Sequence, residues 1–306
     1  MPYREDLAKL GVTEMFSGKP LPSTINSMNA YYGAGPIVNA LNRGAEIVVT
    51  GRATDSALAL APLMAEFGWG EEEYDKLAAG SLAGHLIECG AQCTGGNHTD
   101  WEQVRGFDNM GFPVAEVSSH GEILISKPAG TGGVLSVGSV GEQMLYEIGD
   151  PACYQLPDVT ADFSQVSMLQ TGEGVMVKGA RGRAPGHNYK ISATYMDGYK
   201  VRVTPLRRAD TNFPLIQATA VANFGGGKAA KKARVMAESI LARTRTVYKK
   251  LGENQISLSF SKNLIIFQAF RTLRKLTYKF SGRKTVSVEM RSMSPDCRGS
   301  NKQKYF

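Results

Sequence analysis

The chain has 306 residues, of which 42% are hydrophobic and 21% are charged, which suits one large globular domain or two ordinary ones. No stretch approaches the roughly 20 consecutive apolar residues of a membrane-spanning helix, and the first ten residues lack the apolar core of a secretory signal. The net charge of +7 lies in the tail: residues 255–306 carry 11 Lys and Arg against 2 Asp and Glu, which leaves 24 against 26 for residues 1–254. These features exclude an integral membrane protein and argue against nucleic-acid binding by the body of the chain.

The first ninety residues alternate between helical and strand patterns. A polar lead-in over residues 1–27 precedes a short helix that starts at Pro36 and is capped at Gly44. The β-branched run of residues 45–50 is typical of a strand buried on both faces. Helices are predicted over residues 57–67 and 71–89. The alternation predicts an α/β domain over residues 28–254, a layered sheet with helices in its first half.

Short alternating runs predict antiparallel strands in residues 114–203. A hairpin joins residues 114–118 to 122–126, and further strands are expected at 175–178, 189–195 and 199–203, the last two paired around a turn. A helix is predicted over residues 140–148, with Glu142 near its positive N-terminal end. A long amphipathic helix is predicted over residues 228–250. Residues 255–306 show no capped periodic element, so we expect an irregular basic tail outside the fold.

Residues 85–101 carry the densest set of reactive side chains. His85 and Cys89 are four residues apart and would share one face of a helix. The H-x3-C-x3-C-x4-H spacing lacks the closely spaced Cys and His pairs of zinc sites, so we predict no metal. The alternative for each residue alone is a buried apolar cysteine or a core histidine. The catalytic and glycine candidates of this stretch are His85, Glu88, Cys89, Gly95, Gly96 and Asp100.

A second candidate loop, Gly51-Arg52-Ala53-Thr54-Asp55, follows the predicted strand directly. In open α/β sheets ligands bind beyond the carboxyl ends of strands, where Arg52 could clamp an anion and Asp55 could supply a carboxylate. The alternative is structural, because Asp55 or Ser56 could cap the helix that begins at Ala57 and Arg52 could pair with Asp55. Both interpretations stay open.

A third candidate is the glycine-rich loop after the predicted hairpin. Consecutive glycines beside a lysine can form a backbone nest for a phosphate or carboxylate, such as the anionic part of a coenzyme A thioester. The loop matches neither G-x-x-x-x-G-K-[ST] nor G-x-G-x-x-G, and a connection that needs positive φ explains the same glycines. No G-x-S-x-G elbow and no H-E-x-x-H helix occurs in the chain. The binding candidates here are Lys127, Gly130, Thr131, Gly132 and Gly133, with Glu142 and Gln143 following the loop.

Several strings, in order and at matching spacing over roughly residues 28–245, resemble the acyclic terpene utilisation family. They include Asn29-Ala30-Tyr31 and the segments at residues 51–55, 84–90, 94–96, 130–133, 142–147 and 150–159. The resemblance implies an α/β N-terminal domain, followed in longer members by a small ferredoxin-like domain. Family members carry a longer segment before the point that matches Met28, so we expect this chain to be a fragment without that segment and without the second domain. Position 98 is more often aromatic in the family, so we assign His98 no role.

The resemblance also implies a function in the bacterial breakdown of citronellol- and geraniol-type compounds as acyl-CoA thioesters. A lyase step on a hydroxy-isohexenylglutaryl-CoA has been attributed to the family. Such cleavage needs a base and an oxyanion stabiliser, for which Asp55, Glu88 or Asp100 and then His85, Arg52 or loop amides are candidates. No cofactor is implied beyond the coenzyme A part of the substrate. In a full-length homologue, we expect Asp55→Asn or Glu88→Gln to abolish turnover and preserve the fold.

Two other functions compete with the enzyme. A non-catalytic binding or scaffold subunit would partner a biotin-dependent acyl-CoA carboxylase and copurify with it. Nucleic-acid binding by the tail would depend strongly on salt and vanish when residues 255–306 are deleted. We favour a small-molecule ligand, with no nucleic acid and no membrane, and leave homo-oligomerisation open.

The cysteines bear on location. Cysteines at positions 89, 93, 153 and 297 are too few and too irregularly spaced for a disulfide framework, so we expect reduced thiols. That expectation places the protein in the cytoplasm, or in mitochondria if the N-terminus is truncated.

The functional hypotheses share one geometric expectation: the segments near positions 52, 88 and 131 converge on a common cleft at the rim of a sheet.

Overall fold

The helices of the chain lie mainly in its first half, as the sequence predicts. The computed structural model describes residues 4–196, 198, 224, 228–250, 276–279, 285–288 and 304–305. It divides the chain into one unit of Met1–Tyr195 with Gln303–Phe306 and a second unit of Met196–Lys302. The described α-helices are α1 Arg4–Lys9, α2 Gly35–Asn42, α3 Ala57–Phe67, α4 Tyr74–Glu88, α5 Val137–Leu145 and α6 Ala229–Lys250. None of these is long and apolar enough to cross a membrane.

Local signals set the ends of several helices. Pro36 occupies the first turn of α2, and Gly44 follows its end with φ 84°. Gly68 ends α3 in the left-handed conformation that glycine adopts without steric cost. α5 begins three residues earlier than predicted, because Ser136 forms a capping box with Ser139. Glu142 is therefore in the middle of α5 and not near its N-terminal end, so that part of the prediction is wrong.

α4 is the central helix of the first unit. Ten consecutive residues, 77–86, are buried, as expected for a helix that is surrounded by other elements. α3, α5 and strands of two sheets pack around it. Gly84 allows α3 to approach closely, since a Cβ there would lie 2.7 Å from the Cα of Ser56. This packing fixes the C-terminal end of α4 next to the loop before α3.

The described strands pair antiparallel throughout. Their bounds are β1 Ser27–Ala30, β2 Val114–Val117, β3 Ile123–Ser126, β4 Tyr154–Gln155, β5 Thr160–Asp162, β6 Ser167–Gln170, β7 Val175–Lys178, β8 Arg181–Arg183, β9 Ile191–Thr194, β10 Leu276–Lys279, β11 Thr285–Val288 and β12 Lys304–Tyr305. The sheets have the orders β2-β3-β7-β6, β4-β5-β8, β1-β9-β12 and β10-β11. Val114 lies opposite Ser126 in the β2–β3 pair, which confirms the predicted hairpin. The side chains of Ile123 and Val177 face each other in the core.

The predicted strand over residues 45–50 is wrong. This run forms no strand, and the exposed fractions of Ile47 and Val49 are 85% and 92%. A strand buried on both faces needs a neighbour on each edge, and none of the described residues supplies one there. The nearest backbone pairing after this run is an isolated parallel bridge between Ala53 and Tyr32.

Elsewhere the predicted elements are present where the structure describes them, but the tail predicted to be irregular contains the short strands β10, β11 and β12. The strands expected at residues 175–178 and 189–195 are present as β7 and β9, and the long helix of residues 228–250 is present as α6. β9 pairs with β1 and β12. The strand predicted at residues 199–203 lies outside the described residues. The three described cysteines, Cys89, Cys93 and Cys153, are free thiols, as predicted.

Candidate functional site

A buried histidine paired with a glutamate lies at the C-terminal end of α4. The side chain of His85 is 3% exposed, and its Nδ1 lies 3.0 Å from Oε1 of Glu88. Its Nε2 is buried and has no hydrogen-bond partner among the described residues. If the proton sits on Nδ1 and is donated to Glu88, Nε2 is left as an acceptor. A histidine oriented by a carboxylate in this way can act as a general base.

α5 places a second buried polar side chain beside this pair. Gln143 is fully buried, and its Nε2 donates a hydrogen bond of 2.8 Å to the backbone carbonyl of His85. Because a carbonyl can only accept, this contact identifies the amide end of the side chain. Gln143 Oε1 is also buried without a partner in the part of the chain that the structure describes. An unpartnered buried polar group costs about 1–3 kcal/mol, so two on adjoining residues indicate a ligand site.

A half-buried tyrosine lies next to the histidine. The ring centroids of Tyr154, on β4, and His85 are 6.1 Å apart. Burial, together with the charges of Glu88, Glu147 and Asp55, raises the pKa of Tyr154 to about 12. The phenol therefore stays protonated near neutral pH and can donate a hydrogen bond. The charges of all three carboxylates therefore reach this phenol.

The thiol of Cys89 belongs to the same neighbourhood. Burial raises the pKa of this thiol, and so do the charges of Glu88, Glu147 and Asp55, whereas the side chain of Gln143 lowers it. Because the thiolate is the nucleophilic form, these surroundings oppose a nucleophilic role. They suit a neutral thiol that donates a proton.

Glu147, just after α5, has a strained backbone. Its φ is 61°, and it is the only non-glycine residue with positive φ in the described ranges. Such strain costs on the order of 1–3 kcal/mol and often occurs at functional sites. Hydrogen bonding to Glu147 is the main cause of the raised pKa of Tyr146. Burial lowers the pKa of Lys190, and the charge of Glu147 opposes that shift.

The loop before α3 carries Asp55, whose charge raises the pKa of Cys89 and of Tyr154, and Arg52. The guanidinium of Arg52 lies over the ring of Tyr31, 5.1 Å from its centroid. Ser56 is the N-cap residue of α3, but its side chain makes no capping hydrogen bond. No ion pair joins Arg52 to Asp55 among the described side chains. The interpretation of this loop as a helix cap therefore lacks two contacts among the described residues: the capping hydrogen bond of Ser56 and the ion pair between Arg52 and Asp55.

His98, to which the sequence assigned no role, is paired. Its Nδ1 lies 2.8 Å from Oε2 of Glu142, and the amide of Thr99 donates to both carboxylate oxygens at 3.1 Å. Burial raises the pKa of Glu142, but hydrogen bonds from Thr99 and His98 outweigh this effect and hold it below its usual value. Asp100 is exposed and begins the short 3-10 helix Trp101–Gln103.

The glycine loop of residues 127–133 is engaged in packing. Lys127 Nζ donates to the carbonyl of Thr131 at 2.8 Å, within the same loop. The amides of Gly132 and Gly133 donate to the carbonyls of Asn109 and Arg105 at 2.8 and 2.7 Å. These two amides are therefore not free to bind an anion.

Gly95 and Gly96, the other predicted binding glycines, also make close contacts. A Cβ on Gly95 would lie 2.7 Å from Cγ1 of Val134, and a Cβ on Gly96 would lie 2.8 Å from the carbonyl oxygen of Ala91. Substrate binding by either glycine stays a prediction. Within the described residues, no group of three or more His, Cys, Asp or Glu side chains is arranged to hold a metal ion.

Comparison with known proteins identifies the family. The model of the acyclic terpene utilisation family protein AtuA matches residues 4–264, which is 261 of the 306 residues. The chain belongs to the acyclic terpene utilisation family. The match covers α4, α5 and β4 and therefore includes the whole neighbourhood of His85. No curated protein and no solved structure is significantly similar to the chain.

Sequence reasoning missed Glu147 and Tyr154, and it named Gln143 only in connection with the glycine loop of residues 127–133. Gln143, Glu147 and Tyr154 come from α5, the residues after it and β4, all far in sequence from His85. A signal was present, because residues 142–147 and 150–159 are among the strings that resemble the acyclic terpene utilisation family. Nothing in those strings indicated that α5 packs against the end of α4.

Proposed function

We propose that this member of the acyclic terpene utilisation family is an enzyme of branched, isoprenoid acyl-CoA catabolism, with His85 as general base. The carrying observation is the buried imidazole whose Nδ1 contacts Glu88 and whose Nε2 has no partner among the described residues. The substrate class comes from family membership. The reaction that suits both is cleavage of a carbon–carbon bond in a hydroxy-isohexenylglutaryl-CoA or a similar hydroxyacyl thioester.

The chemistry begins at the tertiary hydroxyl of the substrate. Nε2 of His85 takes the hydroxyl proton, and Glu88 stabilises the imidazolium that forms. The carbon that bears the oxygen becomes a ketone as its bond to the neighbouring CH2 group breaks. The bonding electrons pass to that CH2 carbon as an enolate, which is then protonated. The products are a ketone and acetyl-CoA or acetate, depending on which CH2 group is released, and no oxidant or reductant is consumed.

Neutral donors must stabilise the enolate, because the carboxylates around the site repel negative charge. The Tyr154 phenol suits this function, since its pKa of about 12 keeps it protonated. The Cys89 thiol, with its raised pKa, can return a proton to carbon. We assign Asp55 and Glu147 to holding these two groups in their protonated forms.

The test is turnover of a hydroxyacyl-CoA of this class, with products followed by mass spectrometry. We expect His85→Gln to lower kcat about 10²–10⁴-fold, the usual contribution of a general base. His120→Gln is the matched control, because His120 lies exposed in the β2–β3 turn and should retain the wild-type rate. A His85→Gln variant that folds and turns over at the wild-type rate refutes the proposal.

The test also separates the enzyme from the scaffold alternative. A scaffold subunit predicts no turnover by any form of the chain and copurification with a biotin-dependent carboxylase. Turnover that requires His85 without any added carboxylase contradicts the scaffold.

A further inference from the structure

The C-terminal end of α4 depends on another helix for one of its backbone contacts. The last carbonyls of a helix have no partner within that helix. At this end the amide of Cys89 donates to the carbonyl of Ile87. Nε2 of Gln143, which is fully buried on α5, donates to the carbonyl of His85. A side chain from a separate helix thus holds the backbone of the residue that carries the imidazole.

α5 makes a second contact with the segment that follows His85. Glu142, the neighbour of Gln143, accepts hydrogen bonds from the amide of Thr99 and lies 2.8 Å from the ring of His98. The two contacts therefore hold residues 85 and 99 against one helix. The segment between them contains Glu88 and Cys89. Its geometry is set by α5 as much as by α4.

We propose that Gln143 is a positioning residue of the His85 site. Its amide fixes the backbone at His85, so that Nδ1 stays on Glu88 and Nε2 stays directed away from it as the acceptor. Small displacements of a reacting group are costly in rate, so a buried contact at this carbonyl affects the chemistry as well as stability. The inference rests on the proposed function of His85, but its structural part is measurable without any substrate.

The experiment is imidazole nitrogen NMR on the full chain labelled with ¹⁵N-histidine. The chain has four histidines, so the His85 signals can be assigned by their loss in His85→Gln. We expect wild-type His85 to carry its proton on Nδ1. In Gln143→Met, which removes both polar ends at similar length, the ratio of the two tautomers should shift toward Nε2–H about fivefold, the effect of about one hydrogen bond. With substrate, kcat should fall about tenfold while KM stays within about twofold.

Two further variants keep the inference falsifiable. Glu142→Gln is the matched control, because it weakens the second contact of α5 but not the contact at His85. It should lower stability slightly and leave the His85 tautomer unchanged. Gln143→Leu is the second variant if Gln143→Met does not fold, and it should shift the tautomer in the same direction because it also leaves the carbonyl without a donor. An unchanged His85 tautomer in a folded Gln143 variant overturns the inference, and so does an equal shift in Glu142→Gln. A failed lyase assay with the expected tautomer shift would instead count against the proposed function alone.

Discussion

The end of α4 and the loop of residues 127–133 both combine reactive side chains with glycines. They differ in how their polar groups are hydrogen-bonded. At the end of α4, Nε2 of His85 and Oε1 of Gln143 are buried without partners among the described residues. In the loop, Lys127, Gly132 and Gly133 all donate to backbone carbonyls. The difference teaches that residue type marks a candidate, whereas unused bonding capacity distinguishes a ligand site from a packed connection.

The largest expected difference between the two segments is in turnover, when His85 loses its carboxylate partner. We expect Glu88→Gln to lower kcat about 10²–10³-fold, because a carboxamide can favour the wrong tautomer of the imidazole. Lys127→Ala should leave kcat and KM within about threefold, since its ammonium already bonds within its own loop. Steady-state turnover of the hydroxyacyl-CoA checks both. A larger loss in Lys127→Ala than in Glu88→Gln would move the site to the glycine loop.

A methyl group added to the glycine loop should damage folding. A Cβ on Gly132 would lie 2.0 Å from the carbonyl oxygen of Gly106, which is backbone and cannot move aside cheaply. We expect Gly132→Ala to lower the free energy of unfolding by about 3 kcal/mol or more, measured by urea denaturation. Gly141→Ala is the matched control, because nothing lies within 4 Å of a Cβ there. It should be neutral or raise the stability by up to about 1 kcal/mol in the middle of α5. Equal stability of the two variants would contradict the packing interpretation.

The contact between Glu142 and residues 98–99 should make a smaller, pH-dependent contribution. The pKa of Glu142 is lowered in the folded chain from an ordinary value of 4.5. Its stabilising effect is therefore present above pH 4.5 and is lost as the pH falls through the lowered pKa. Because the side chain is 38% exposed, we expect Glu142→Gln to cost less than about 1 kcal/mol at pH 7. Urea denaturation at pH 7 and pH 3 should show this difference shrinking at the lower pH, and a constant difference would be evidence against the carboxylate.

The smallest expected effect concerns the thiol of Cys89. The charge of Asp55 contributes to its raised pKa, so Asp55→Asn should raise the thiolate fraction. We expect alkylation of Cys89 by iodoacetamide at pH 8 to become about 1.5- to 2-fold faster, measured peptide by peptide with mass spectrometry. Asp100→Asn serves as the control, because Asp100 is not among the groups that shift this thiol. Cys93 shows whether the variants remain folded. Burial raises the pKa of its thiol to about 12, so it should stay unmodified in a folded chain. Equal rates in both variants would place Asp55 outside the site.

Local patterns predicted the elements whose stability is mostly local. The α2 signal of Pro36 and Gly44, the helix of residues 57–67 and the hairpin around His120 are all present. These are short-range features, set by backbone sterics and side-chain periodicity. The run of residues 45–50 fails for the opposite reason. A buried strand depends on neighbours far along the chain, and its own β-branched side chains cannot supply them.

The residues of the candidate site also fall into two groups, those close in sequence and those brought together by tertiary packing. His85, Glu88 and Cys89 lie within one and a half turns of a helix, so the sequence alone placed them together. Asp55 was also a candidate, but only the packing of Ser56 on Gly84 brings its loop to the end of α4. Glu147 and Tyr154 were missed, and Gln143 was assigned to the glycine loop, because their proximity to His85 comes from α5 and β4 folding against α4.

The sequence by itself determined that this chain is an α/β member of the acyclic terpene utilisation family, and it fixed the spacing of His85, Glu88 and Cys89 on one helix. The tertiary structure decided which polar groups are buried, which of them lack a partner in the described residues, and that Gly132 and Gly133 are packed. The reason is physical: helix spacing is encoded in neighbouring residues, whereas desolvation and hydrogen-bond satisfaction depend on atoms that meet only after the chain has folded.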